Sequence, residues 1–142
     1  MADQDRFAHA LLAVARGLGR IARERARAGD VTPQQAETLQ LIAERGALST
    51  SMLATLLGID PSTASRNVSG LERSGLITRQ QGSDDGRQTD VRLTPRGRRA
   101  AQTVGTVASS AYVSVLDTLA RADRARVIDA LEVLARALDR VE

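Results

Sequence analysis

The chain has 142 residues, among them 20 basic and 17 acidic side chains and no cysteine. That length predicts a single domain with a core of its own. The missing cysteines exclude disulfides, thiolate metal sites and a cysteine redox switch. The polar, acidic first residues differ from a signal peptide, and no stretch reaches the roughly 18 apolar residues of a membrane span, so we expect a cytoplasmic protein.

The basic charge is concentrated in one part of the chain. Every basic residue is Arg, which an Arg-biased genome alone could explain. Its location is more informative: residues 62–99 hold eight Arg against four acids, whereas the rest of the chain is slightly acidic. Such a surplus is expected where a protein meets phosphate. The only aromatic residues, Phe7 and Tyr112, lie outside this segment, which favours duplex DNA over single strands stacked on rings.

The first two helices are predicted from spacing and end signals. An apolar seam at intervals of four and three residues predicts a helix over 5–28 that ends at Gly29-Asp30. Its members are Phe7, Leu11, Val14, Leu18 and Ile21. Thr32 and Gln35 form a capping box around Pro33, so a second helix is predicted to run from there to Gly46. We expect Leu39, Ile42 and Ala43 on its inner face.

Two short helices follow with a tight turn between them. Ser49 is a predicted cap, and Leu53, Leu56 and Leu57 are the predicted inner face of the third helix. Gly58 ends it, and Asp60-Pro61 starts a fourth helix that reaches about Arg73. Two helices joined across a turn that contains glycine predict a helix-turn-helix.

A β-hairpin and two closing helices complete the chain. Residues 76–80 and 89–93 are predicted strands, the second with alternating polar and apolar side chains, and residues 81–88 form a turn-rich loop. Thr94-Pro95 starts a long helix to about Leu119. Asp123 starts the last helix, whose seam repeats the four-and-three spacing. This seam consists of Val127, Leu131, Leu134, Leu138 and Val141.

The fourth helix carries the candidate DNA-reading surface. Ala64, Val68 and Leu71 share one side, which must face the core. Small hydroxyl residues and arginines occupy the opposite side and its flanks. These candidate DNA-binding residues are Ser62, Thr63, Ser65, Arg66, Ser69 and Arg73. Small residues allow close approach to the groove floor, Arg can bind guanine through two hydrogen bonds, and free N–H groups at the helix start favour phosphate. The alternative is an ordinary solvated face.

The hairpin loop supplies a second candidate contact. Arg87 could enter the minor groove, where A·T-rich DNA concentrates negative potential. We expect Asp85 to pair with an arginine of the domain and to shape the loop. The alternative is a local surface pair of Asp85 and Arg87 with little energetic effect.

Residues Leu53 to Gly97 resemble the MarR family of bacterial transcription regulators. The segment from Leu56 to Arg66 is similar to that family's turn and recognition helix, and Leu71 to Arg79 is similar to its exit into the wing. The most specific part is Asp85-Gly86-Arg87 followed by Val91-Arg92-Leu93-Thr94, which resembles the wing pattern. Gly86 is a departure, because members often carry another Arg there.

The resemblance implies a mainly α fold with a small β-hairpin, in which a winged helix-turn-helix domain is carried on long terminal dimerisation helices. We divide the single domain into a DNA-binding lobe, 32–94, and a dimerisation lobe, 5–29 with 95–142. The terminal seams would be buried between two copies or, alternatively, against each other within one chain. Two-fold symmetry implies a pseudo-palindromic operator of double-stranded DNA.

The expected function is a ligand-responsive homodimeric repressor. Family members often bind small effectors between the dimer helices and the winged domain, and His9 could line such a pocket, although an ordinary surface role is the simpler interpretation. No cofactor, metal site or catalytic residue is expected. The sequence has no phosphate loop and no nucleophile elbow, and it has no Cys and no other His that could complete a metal site with His9. The alternative is a winged-helix module for protein contacts without specific DNA binding.

Overall fold

The computed structural model describes residues 2–81 and 89–141 of the chain. In these ranges it contains six helices and one three-stranded antiparallel sheet. The helices are α1 (Asp3–Ala28), α2 (Pro33–Arg45), α3 (Thr50–Leu57), α4 (Pro61–Arg73), α5 (Pro95–Thr118) and α6 (Arg121–Leu138). The strands are β1 (Leu48–Ser49), β2 (Ile77–Gln81) and β3 (Thr89–Leu93). The chain forms two compact units, residues 1–108 and 109–142. Over the described ranges, each helix is too short or too polar to span a bilayer.

The ends of the first two helices follow the local chemistry of the sequence. Helix α1 starts at Asp3, two residues before the predicted start, and the negative charges of Asp3 and Asp5 suit the positive end of its dipole. The predicted capping box of α2 is confirmed: the Gln35 N–H donates to the Thr32 hydroxyl at 3.1 Å, and the Gln35 side chain accepts from the Thr32 N–H at 3.0 Å. Gly46, with φ of 81°, ends α2 as expected.

The helix-turn-helix is confirmed in its predicted place. The Ser49 hydroxyl accepts from the Met52 N–H at 3.1 Å and caps α3. Gly58 ends α3 in the left-handed conformation, φ 65° and ψ 35°, which costs glycine little because it has no Cβ. Asp60 then caps α4, whose bounds coincide with the predicted ones.

The sheet contains one strand more than the predicted hairpin. Its order is β1-β3-β2, and Leu48 and Ser49 of β1 pair with Val91 and Asp90 of β3. A strand of two residues has no alternating pattern to recognise, so only the approach of distant residues reveals it. Strands β2 and β3 pair in register from Ile77 opposite Leu93 to Gln81 opposite Thr89.

The core of residues 1–108 joins α2, α3, α4 and the sheet. The main cluster of this core includes the fully buried side chains of Leu39, Ile42, Leu53, Val68, Leu71, Ile77 and Val91. Two predicted inner positions are wrong. Ala43 is exposed, and Leu56 is 38% exposed, whereas Ala54, one turn after Thr50, is 4% exposed. Helix α3 is short, so its contacts with α4 and the sheet, rather than its own periodicity, select the buried face.

Helix α5 begins at a close backbone crossing with the turn before β2. The Thr94 N–H donates to the Leu76 carbonyl at 3.0 Å, and the Thr94 hydroxyl donates to the Gly75 carbonyl at 2.7 Å. The same hydroxyl accepts from the Gly97 N–H at 3.0 Å, which caps the helix as predicted. A Cβ on Gly97 would lie 1.9 Å from the Leu76 oxygen, so only glycine fits here. The hairpin and the start of α5 are thereby held together.

The terminal helices carry apolar side chains that this chain leaves exposed. On α1, Phe7, Val14 and Leu18 are 56%, 46% and 51% exposed. In the second unit, α6 is described in full and has no buried residue; its Leu131 and Leu138 are 50% and 53% exposed. It starts at Arg121, two residues before the predicted Asp123, and Asp123 lies in its first turn. Such contiguous apolar faces are typical of interaction surfaces.

Candidate nucleic-acid interface

Helix α4 has a buried apolar stripe and an exposed polar face. Ala64, Val68 and Leu71 are at most 1% exposed and anchor the helix in the core, as predicted. Of the candidate DNA-binding residues on this helix, Ser62, Ser65, Arg66 and Arg73 are exposed, whereas Thr63 and Ser69 are half-buried. Because Ala64 and Val68 fix the rotation of the helix, the exposed face is presented in one orientation. A rigid surface of small hydroxyls and arginine suits the floor of a major groove.

The start of α4 is organised around the Asp60 carboxylate. Its Oδ1 accepts from the Ser62 hydroxyl and from the Thr63 N–H, the latter at 2.9 Å, and its Oδ2 accepts from the Thr63 hydroxyl at 2.9 Å. Arg66 Nη2 donates to that same Thr63 hydroxyl at 3.2 Å. The relay from Asp60 through Thr63 to Arg66 restricts the guanidinium to one side of the first turn.

These hydrogen bonds also hold Asp60 in its charged form. The Ser62 hydroxyl, then the Thr63 N–H and hydroxyl, keep the pKa of this carboxyl well below its usual value. The Thr63 N–H donates to the Asp60 side chain and the Ala64 N–H to its carbonyl at 3.1 Å, while Pro61 has no N–H. The Thr63 N–H, one of the groups at the start of α4 that we expected to favour phosphate, is therefore already bonded to the protein's own carboxylate.

A bridge between α4 and β2 was missed by the sequence analysis. Arg79 Nη2 donates to the Ser69 hydroxyl at 2.8 Å, and Arg79 Nε lies 3.5 Å from Glu72 Oε2. Ser69 and Glu72 are three residues apart and so share a flank of the helix. The available signal was the position of Arg79 two residues after Ile77, since alternate strand residues share a face. Ser69, a candidate DNA contact, thus has its hydroxyl engaged within the protein.

The wing is described only at its base. Arg87 and Asp85, the candidate minor-groove contact and its shaping partner, lie outside the described residues, as do Asp84 and Gly86. On the described strands, Arg92 is exposed on β3 and pairs across the ladder with Thr78.

Arginines also surround the junction below the wing. Arg96 Nη1 donates to the Ser74 carbonyl at 3.3 Å and Arg98 Nη1 to the Leu93 carbonyl at 3.5 Å. Both acceptors are uncharged backbone oxygens, so these bonds do not neutralise the guanidinium charges. The positive charge predicted for residues 62–99 is thus grouped around α4, β3 and the start of α5.

Other candidate chemistry is sparse. His9 is exposed on α1, beside Phe7 and Arg6 in a shallow surface groove. Over residues 2–81 and 89–141, no three His, Cys, Asp or Glu side chains come together as a metal site would require. The arrangement of exposed hydroxyls and arginines on a fixed helix is suited to reading a polyanion rather than to bond chemistry.

Comparison with known proteins agrees with this geometry. Residues 31–89 match the model of the MarR family. The HTH-type transcriptional regulator FarR of Neisseria gonorrhoeae is 28% identical over 110 residues, which cover 78% of this chain and 75% of FarR. The crystal structure of RV1404 from Mycobacterium tuberculosis superposes with a TM-score of 0.80 at 29% identity, covering 96% and 95% of the two chains.

A second solved structure shows the same fold at lower identity. FabT of Streptococcus pneumoniae, crystallised in complex with DNA, has a TM-score of 0.86 at 19% identity, covering 99% of this chain and all of that one. The shared winged helix fold, the family model and the related regulators agree. Residues 31–89 thus match the MarR family model, and the described residues share the winged helix fold of solved MarR family structures.

Proposed function

We propose that this regulator is a homodimeric repressor that binds a pseudo-palindromic operator in double-stranded DNA and releases it in response to a small molecule. The observation that carries the DNA-binding part is the outer face of α4. Its inner stripe is fully buried, and the outer side chains of its first half are small hydroxyls and Arg66. Of the two acids nearby, Asp60 is bound in the helix cap and Glu72 pairs with Arg79. A surface of this kind can enter a major groove without steric or electrostatic conflict.

The proposed contacts divide between base edges, phosphates and the minor groove. Ser62, Ser65 and Arg66 are exposed in the first half of α4, and we assign them to base edges; Thr63 orients Arg66. Arg73 lies at the end of the helix, where it suits a phosphate. For the hairpin loop, the proposal keeps Arg87 as the minor-groove contact and Asp85 as the residue that shapes the loop. Ser69 is assigned to the flank of the interface.

The homodimer is supported by the apolar faces of the terminal helices. The exposed Phe7, Val14 and Leu18 on α1 and Leu131 and Leu138 on α6 would each be costly to leave in water. A second copy of the chain covers such faces in a closed, two-fold assembly. Two recognition helices related by that symmetry would read half-sites about 34 Å apart, one turn of the duplex.

Repression and ligand response complete the proposal. A dimer seated on a promoter excludes the polymerase, which is the simplest action for a regulator of this size. The dimer would have conformations that differ in the distance between the two recognition helices. An effector would act by binding one of these conformations more tightly than another, because a ligand shifts an equilibrium only through its differential affinity.

The test is selection of DNA followed by a salt titration. The full chain is incubated with a randomised pool of duplexes of about 30 base pairs, long enough for two half-sites. We expect it to enrich an inverted repeat and to bind it less tightly as salt rises. Arg66→Ala should lower the affinity for the enriched duplex by about 5- to 100-fold and relax the preference at one base pair in each half-site.

Two results would contradict the proposal. If no sequence is enriched and the affinity for any duplex is independent of salt, the chain is instead a winged-helix module for protein contacts. If an unrepeated half-site is enriched by a monomer, DNA binding stands but the dimer does not.

A further inference from the structure

The Arg79 bridge joins the two elements that the proposed function places on DNA. Helix α4 and strand β2 are consecutive in the chain and are connected by a turn at Ser74–Leu76. Ile77, 2% exposed, anchors the start of β2 in the core. Arg79 lies two residues farther along, about 7 Å toward the hairpin loop, and is itself exposed although it pairs with the buried Val91 of β3. A side chain that fixes the strand at this point controls the direction in which the hairpin leaves α4.

The contacts of Arg79 are suited to holding a position rather than to stabilising the fold. Its guanidinium binds Ser69 through Nη2 and approaches Glu72 through Nε, so that two points on α4 are held by one planar group. The side chains of Arg79 and Glu72 are 32% and 45% exposed. Ion pairs with this much exposure contribute little to stability because water screens them.

We infer that Arg79 is a positioning residue for DNA recognition: by bridging to Ser69 and Glu72 it sets the spacing between the recognition helix and the wing. The inference rests on the proposed function. Simultaneous contact with a major and an adjacent minor groove requires the two elements to be held in one relative orientation before binding. Without the bridge, the two elements become ordered only when DNA binds. That ordering costs free energy, and the affinity falls.

This role differs in a measurable way from a direct contact with phosphate. A phosphate contact releases counterions, and its removal reduces the salt slope of the binding constant by about 0.9. A positioning residue changes the affinity equally at all salt concentrations. Lysine would preserve much of a phosphate contact through its charge, but it lacks the planar fork that reaches Ser69 and Glu72 together.

The experiment compares Arg79→Ala, Arg79→Lys, Ser69→Ala and the Ser69→Ala/Arg79→Ala double variant, all in the full chain, on the duplex enriched by the wild type. We expect each to bind about 3- to 10-fold more weakly with an unchanged salt slope. The double variant should bind no more weakly than Arg79→Ala, because both changes break the same bridge. Footprints should lose minor-groove protection from hydroxyl radicals while guanines in the major groove stay protected from methylation.

The outcomes separate this inference from the proposed function. If the wild type enriches no duplex, the proposed function fails. If it does, the inference is overturned by any of four results: unchanged affinity of Arg79→Ala, a salt slope lowered by about 0.9, additive losses in the double variant, or equal loss of protection in both grooves. The last would indicate a general loss of folding, which thermal unfolding of the same variants checks independently.

Discussion

Replacing Gly97 with alanine should destabilise the protein although alanine is the better helix former. The added Cβ would lie 1.9 Å from the Leu76 carbonyl oxygen and 2.9 Å from the Leu76 carbonyl carbon, where real contacts essentially never fall below 3.0 Å. Both neighbours are backbone atoms, so no side chain can rotate away. The start of α5 must therefore move from the turn before β2 by roughly 1 Å.

That movement stretches the hydrogen bonds at the junction. The Thr94 N–H to Leu76 bond of 3.0 Å spans the gap directly, and the Thr94 hydroxyl bond of 2.7 Å to Gly75 crosses beside it. Each is worth about 1 kcal/mol net, and overpacking adds about 1–3 kcal/mol. The helix propensity of alanine returns at most about 1 kcal/mol. The expected loss is about 2–4 kcal/mol of unfolding free energy, or roughly 10 °C in Tm.

The assay is urea and thermal unfolding followed by far-ultraviolet circular dichroism at equal chain concentration, since assembly makes Tm depend on concentration. The matched control is Gly19→Ala in α1, where the Cβ would meet only the mobile end of Arg23 at 3.3 Å. That variant should be unchanged or up to about 1 kcal/mol more stable. A Gly97→Ala protein within about 0.5 kcal/mol of the wild type would show that the junction yields without cost, and the reasoning would be refuted.

Two further predictions concern the cap of α4 and the terminal helices. Asp60→Ala should lower Tm, whereas Asp60→Asn should largely preserve it, because asparagine caps a helix as well as aspartate does. The pKa of Asp60 is lowered in the folded state, so its charge stabilises the fold above the unfolded pKa of about 3.9 and this contribution is lost as pH falls. As the pH is lowered, Tm should accordingly fall less steeply in Asp60→Asn than in the wild type. Equal slopes of Tm against pH would contradict the assigned cause. Leu131→Glu, at a side chain 50% exposed, should convert the proposed dimer to a monomer in light scattering, while Glu132→Gln should leave its mass unchanged. A dimer that survives Leu131→Glu would exclude this face of α6 from the proposed interface.

Local chemistry decided most of the secondary structure. Thr32, Ser49, Asp60 and Thr94 each supply an oxygen to an N–H at a helix start, and that interaction spans only three residues, so the sequence alone predicts it. The buried stripe of α4 was equally predictable, because thirteen residues give a helical period enough repeats to be recognised. The family resemblance rested on these same segments.

Interactions between residues far apart in the chain could not be predicted from sequence patterns. Strand β1 exists because Leu48 meets Val91, 43 positions away, and the exposure of Leu56 follows from how α3 packs rather than from its sequence. Arg79 was visible only as one arginine among eight in the basic segment; its bond to Ser69 depends on the angle at which β2 leaves α4.

The sequence by itself determined where α2, α3, α4 and α5 start and which face of α4 is apolar, because capping and periodicity act through neighbouring residues. Tertiary structure alone decided that Gly97 permits a backbone crossing and that Ser69 is bound by Arg79. These outcomes depend on distances between elements, and such distances are set only when the shared core of Val68, Ile77 and Val91 closes.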